Sequence, residues 1–385
     1  MAVARILNIQ FRSDDNNSQC FGHGERHASK FRTIRVLGAP YTEHLLTGDG
    51  RKLGRRAACH ATDDGNGVHV NYKTYGLGRV VVLVLGLWAG QALAECTAQP
   101  QAPSTEHIAT AQANVRDRGF LWRVSKGGHS SYVYGTAHVA AWDWAFPGPV
   151  LGQAWHEADV LALEINPLEP ETASTLEQKM SAKTAPPLPA ALNARMQAVA
   201  DRLCIAREAL VRYRPEMQLA TLASMVARDQ GLEPTYGIDL QMALMANAAQ
   251  RPIVSLETVD EQLEALRDDK APLAQRNADV ASALRDLESG KTRSMLIKLM
   301  QAWANHDLAT LENYAAWCAC IKTASEKAAM KRLVDDRNPV MAQRLDALHA
   351  AGTKVLLAVG ALHLAGPTGL PTLLAKQGYT VQRLY

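Results

Sequence analysis

The chain has 385 residues, 47% of them hydrophobic and 21% charged, with a formal net charge of +3. That balance belongs to ordinary globular proteins and excludes disordered, collagenous and polytopic membrane classes. The positive charge is local: residues 1–94 hold 12 Lys and Arg against 7 Asp and Glu, so the weakly acidic remainder lacks the footprint that binding a phosphate backbone requires, and nucleic acid is not an expected partner.

Residues 1–67 are rich in Gly, Arg, His and Asn with no sustained apolar period, and read as a non-native or disordered leader. Lys73 and Arg79 then lead into the apolar run from Val80 to Gly90, followed by Ala92 and Ala94. A positive flank, a short apolar stretch and small residues at the −3 and −1 positions make 68–94 a signal peptide cleaved after Ala94. The run falls short of the roughly 20 residues of a spanning helix, so no stable membrane span is expected after cleavage. With an internal signal, the translation start is expected near Val68 to Leu77, and the mature protein is expected in the periplasm or outside the cell.

Residues 95–118 read as a polar linker and 119–385 as the folded domain. In an oxidising compartment Cys96, Cys204, Cys318 and Cys320 can bridge in three ways, and a bridge from Cys204 to the Cys318/Cys320 pair is the expectation. A C-x-C pair without a second pair is a poor zinc motif.

Within the domain, Phe120 to Val124 and Ser131 to Tyr134 flank Gly127-Gly128 as a β-hairpin. Short apolar runs at Ala158 to Ile165, Pro252 to Leu256, Lys354 to Val359 and Tyr379 to Leu384 read as strands. Between them lie helical periods: Pro215 opens one helix, Thr258-x-x-Glu261 is a capping box for another, and Asn338-Pro339 starts a third that Gly352 ends. The alternation predicts an α/β domain with a mixed, largely parallel sheet flanked by helices and a helix-rich middle.

In such sheets ligands gather beyond the carboxyl ends of the strands. Two strand-like runs end in Gly-x-x-His, Gly135 to His138 and Gly360 to His363, where glycine would let the chain turn sharply and aim an imidazole back over the strand ends. A third, Gly24 to His27, follows no strand. Glu164 ends an apolar run, where an unpaired carboxylate is costly, so it requires a cationic partner. It is either an ion-paired structural acid, with Arg337 a candidate partner, or a metal ligand or general base beside His138 and His363. Trp142, Trp144 and Phe146 either line a cleft or cover the sheet edge. The chain has no H-E-x-x-H and no G-x-S-x-G, and Gly290-Lys291-Thr292 lacks the first glycine of a P-loop.

Taken together, Tyr134-Gly135-Thr136-x-His138, Leu163-Glu164, Gly237-x-Asp239, Leu256-Glu257-Thr258 with Glu261-Gln262, Arg337-Asn338 and Val359-Gly360-x-x-His363-Leu364-x-Gly366 resemble the TraB/GumN family, which includes the TIKI metalloproteases. The resemblance implies a fold similar to that of erythromycin esterase and the ChaN haem-binding proteins. In its TIKI branch it also implies metal-dependent peptide cleavage with Mn or Co, His138, Glu164 and His363 being the ligands, and the expected cofactor is a divalent metal, Mn, Co or Zn. Two histidines and a carboxylate suit a first-row divalent ion, with positions left open for water and a peptide or small-molecule substrate.

Arg337 would then orient the carboxylate or hold an anionic intermediate, and Asn338 would donate a hydrogen bond, unless its role is only that of N-cap before Pro339. Gly135, Asp239, Glu257 and Gly360 fall around these as supporting positions. The competing expectation, from the ChaN-like fold and two imidazoles, is a non-catalytic envelope protein that binds haem or a similar ligand.

Overall fold

The computed structural model describes residues 104–385. The leader, the signal peptide and Cys96 lie outside the described residues. Within the stretch read as linker, Ser104 caps the helix Thr105–Ala113 by accepting from the His107 N–H, and this helix buries no side chain.

The hairpin forms as the alternation predicts. β1 (Phe120–Lys126) pairs antiparallel with β2 (His129–Thr136) across Gly127 and Gly128, whose φ values of +63° and +86° only glycine adopts freely. β3 (Val160–Leu163), β4 (Ile253–Ser255), β5 (Val355–Gly360) and β6 (Thr380–Arg383) follow, and the sheet order is β4-β3-β5-β2-β1-β6. β4, β3, β5 and β2 are mutually parallel, while β1 runs antiparallel to β2 and β6. The class is α/β with a mixed, largely parallel sheet.

β5 occupies the middle because its sequence allows nothing else: Val355 to Val359 are all 0–1% exposed, as an unbroken apolar run buried on both faces must be. Helices cover both faces, and the helix-rich middle builds a second core around Met196, Leu210, Leu222 and Leu284. No helix among the described residues is long and apolar enough to cross a membrane.

Pro215 opens the helix Pro215–Met225, and Thr258 with Glu261 completes a capping box on Val259–Leu266. Two expectations are corrected. Cys318 and Cys320 bond to each other, their Cα atoms only 5.1 Å apart around Ala319 at φ +52°, so they do not bridge to Cys204. Asn338 is not the N-cap of Asn338–Ala350: Arg337 holds that position without a side-chain cap. The Asn338 side chain is drawn inward, fully buried, where its amide has stronger partners than the helix end.

Candidate functional site

Because β2, β5 and β3 are parallel neighbours, their carboxyl ends meet, and each carries one of the expected residues just past its last strand position. His138 follows β2, Glu164 follows β3, and His363 lies in the short 3-10 turn Ala361–Leu364 after β5. Glu164 Oε1 accepts from the Gly360 N–H at 2.9 Å, and Oε2 accepts from Arg337 Nη2 at 2.5 Å and Gln262 Nε2 at 3.0 Å. His363 Nε2 stands 3.7 Å from Oε1. A Cβ added at Gly360 would lie 3.5 Å from both Glu164 Oε1 and His138 Nε2 and 3.7 Å from His363 Cδ2. The three side chains therefore face one another across a single glycine. In their present positions, no three His, Cys, Asp or Glu among the described residues stand close enough to hold a metal ion.

Both imidazoles are oriented from behind. The Asn338 amide donates from Nδ2 to the Thr368 carbonyl at 2.9 Å, which turns Oδ1 toward His363 Nδ1 at 2.6 Å. That network places the proton on Nδ1 and leaves the Nε2 lone pair facing Glu164 and Arg337 Nη1, the latter at 3.3 Å. His363 is buried, and burial pushes its pKa down to about 4, against the pull of Glu164. His138 is at the mouth, its side chain 66% exposed, with Nδ1 3.1 Å from Asp239 Oδ1. The Asp239 carboxylate raises its pKa to about 9. Asp239 is in the first turn of Ile238–Ala248, where the helix dipole favours its charge.

Arg337 ties the floor together. It binds Glu257 bidentately, Nε to Oε1 at 2.8 Å and Nη2 to Oε2 at 2.5 Å, and its Nη1 also donates to the Leu333 carbonyl at 2.8 Å. Leu333 belongs to Lys331–Asp335, a π-helical turn of the kind that often marks functional segments. Burial alone would raise the pKa of Glu164, but the neighbouring imidazoles of His363 and His138, the Arg337 guanidinium and the Gly360 N–H hold it well below the carboxylate range. Glu257 is pushed up by burial against the pull of Arg337, and the two carboxylates keep Arg337 protonated despite its own burial. The cationic partner that Glu164 requires is thus Arg337.

The glycines serve a purpose other than a sharp turn. Neither Gly135 nor Gly360 has positive φ. Gly135 is demanded by packing, since a Cβ there would come within 2.7 Å of Leu364 Cδ1, whereas Gly360 leaves space in front of the three side chains. Gln262 is a contact to Glu164 that the sequence reading gave no role, although the Thr258 capping box already set it one turn into a helix. Trp144 stacks on Trp303 with ring centroids 5.7 Å apart, and Trp144 and Phe146 line a narrow cleft with Tyr134, Trp155 and Arg118. The aromatic cluster is both cover and cleft wall.

The model of the TraB/PrgY/gumN family matches residues 120–383. The uncharacterized protein YbaP of Shigella flexneri is 25% identical over 287 residues, which cover 69% of this chain and 97% of YbaP. No solved structure matches.

Proposed function

This chain belongs to the TraB/PrgY/gumN family, and on that footing we propose that it is a periplasmic or secreted divalent-metal-dependent hydrolase acting on peptides. The observation that carries the reading is the convergence of His138 Nε2, Glu164 Oε1 and His363 around Gly360, both imidazoles held from Nδ1 by an oxygen acceptor. Metal-binding histidines are characteristically oriented this way, with the second nitrogen donating to a carboxylate or carbonyl.

The donor set fits such an ion. Two imidazole nitrogens and a carboxylate oxygen suit Mn, Co or Zn. Charge fits too: Arg337 pairs with Glu164 and Glu257, and Asp239 pairs with His138, so once His138 gives up its proton, as ligation requires, the three carboxylates and one guanidinium sum to −2, which a divalent ion cancels. His138, Glu164 and His363 would hold the ion, which when bound polarises a carbonyl and makes water acidic enough to attack it.

The chain's own residues do the rest. Asn338 and Asp239 fix the two imidazoles. Arg337 holds Glu164 ionised and supplies a fixed positive charge where an oxyanion would develop. His363 and Glu164 form the water-poor floor and His138 the exposed rim, so substrate enters from the His138 side.

Elemental analysis after loading with Mn, Co or Zn, paired with a peptide hydrolysis assay, tests the reading. Near-stoichiometric metal and cleavage are expected in the native chain, and both are lost in the double variant His138→Ala, His363→Ala. Unchanged metal content and hydrolysis in that variant would overturn it. The haem-binding alternative leaves only His138 as an open axial ligand, because His363 is buried with both ring nitrogens facing polar partners. Titration with haemin is therefore expected to give no bis-histidine Soret spectrum.

A further inference from the structure

One polar side chain at the head of the sheet has no role in the account above. Thr136, the last residue of β2, is 2% exposed, and its Oγ1 has no hydrogen-bond partner among the described residues. The polar side chains of the candidate site, Glu164, Arg337, Gln262, Asn338 and His363, are by contrast all bonded. A buried hydroxyl left without a partner destabilises a fold, and valine would fill the same branched shape without that cost.

The register shows where this hydroxyl belongs. Thr136 is directly opposite Gly360 across the parallel β2/β5 pair, and residues opposite one another send their side chains to the same face. That face is fixed from both directions. A Cβ on Gly360 would point among Glu164 Oε1, His138 Nε2 and His363 Cδ2, while a Cβ on Gly135, one position earlier, would run into Leu364 and Ala361 on the other face. Thr136 therefore projects to the side on which the carboxylate and imidazoles converge, next to the space that Gly360 leaves.

We propose that Thr136 is a further catalytic residue of this site, its hydroxyl donating a hydrogen bond to the substrate carbonyl oxygen as that oxygen gains negative charge. The assignment rests on the metal-dependent hydrolase reading. It gives the β2 strand two contributions, an imidazole at the rim and a hydroxyl beneath it. The donor is carried on a rigid strand and buried from competing water, the setting in which such a bond is most effective.

The test compares Thr136→Val, Thr136→Ser and the native chain by three measurements: melting temperature of the metal-free protein, Mn²⁺ affinity, and kcat and KM on an unstructured peptide library. Thr136→Val is expected to melt at or above the native temperature, to bind Mn²⁺ as the native chain does, and to lose about 10- to 100-fold in kcat with KM nearly unchanged. Thr136→Ser is expected to keep kcat within about threefold while melting lower, because it keeps the donor and loses a buried methyl.

A Thr136→Val protein that melts several degrees lower would show that the hydroxyl holds the fold, and overturn the proposal. Native kcat in Thr136→Val would overturn it as well, leaving the hydrolase reading intact. A native chain that neither takes up Mn²⁺ nor cleaves peptide would overturn both.

Discussion

Two histidine pairs stand at opposite ends of the same parallel strands, and they do different work. At the amino end, His129 and His349 stack with ring centroids 3.8 Å apart and planes within 14°. His349 is 2% exposed, and both of its nitrogens are consumed: Nδ1 accepts from Ser131 Oγ at 2.9 Å and Nε2 donates to the Lys126 carbonyl at 2.9 Å. Ser131 Oγ in turn accepts from the Val355 N–H at 3.0 Å. At the carboxyl end, His138 and His363 also commit Nδ1, but Nε2 faces an ionised carboxylate rather than a fixed backbone carbonyl. Burial does not separate the pairs, since His349 and His363 are both buried. The second ring nitrogen does: given to the backbone it locks strands together, and kept among charges it remains available for chemistry.

The comparison can be broken most severely at Arg337. Arg337→Ala leaves Glu164 and Glu257 buried and unpaired and is expected to cost about 3–5 kcal/mol in urea unfolding. A near-neutral result would mean that the carboxyl end is not built around that guanidinium.

His349→Ala strips partners from Ser131 and the Lys126 carbonyl and is expected to cost about 1–3 kcal/mol, with metal uptake and hydrolysis unaltered. Altered metal uptake in a protein that still folds would abolish the division of labour between the two ends.

The smallest effect lies at Glu261, whose pKa is held at about 2, below its ordinary 4.5, chiefly by the hydrogen bond from Arg344. A carboxylate with a depressed folded pKa contributes stability that is full above about 4.5 and fades as pH falls toward about 2. The side chain is 40% exposed, so solvent screening keeps the pair to under about 1 kcal/mol. Melting curves of Glu261→Gln and the native chain should therefore differ slightly at pH 7 and converge in acid.

Much of this was legible in the residues. The apolar run ending at Val359 read as a strand, Gly127-Gly128 read as the turn of a hairpin, and His138, Glu164 and His363, picked out at the ends of strand-like runs, do come together past β2, β3 and β5. The need of Glu164 for a cation followed from its apolar surroundings. What escaped depends on direction rather than identity. Asn before Pro is an ordinary helix start, and nothing in the order of residues says that its amide turns inward to His363. Gln262 reaches Glu164 only once the 259–266 helix is laid against the strand ends. Cys318 and Cys320 close on each other because Ala319 takes a left-handed backbone, which an alanine does not advertise.

The place of β5 between β3 and β2 has a consequence for how this protein is made. Those two strands share no neighbour until Val355–Gly360 has left the ribosome, and Arg337, Asn338 and His363 arrive only with the same late stretch. Nascent chains halted earlier leave β2 and β3 each with an unpaired edge, a condition that invites mispairing and calls for chaperones. The sheet cannot close until β5 has followed β2 and β3 out of the ribosome.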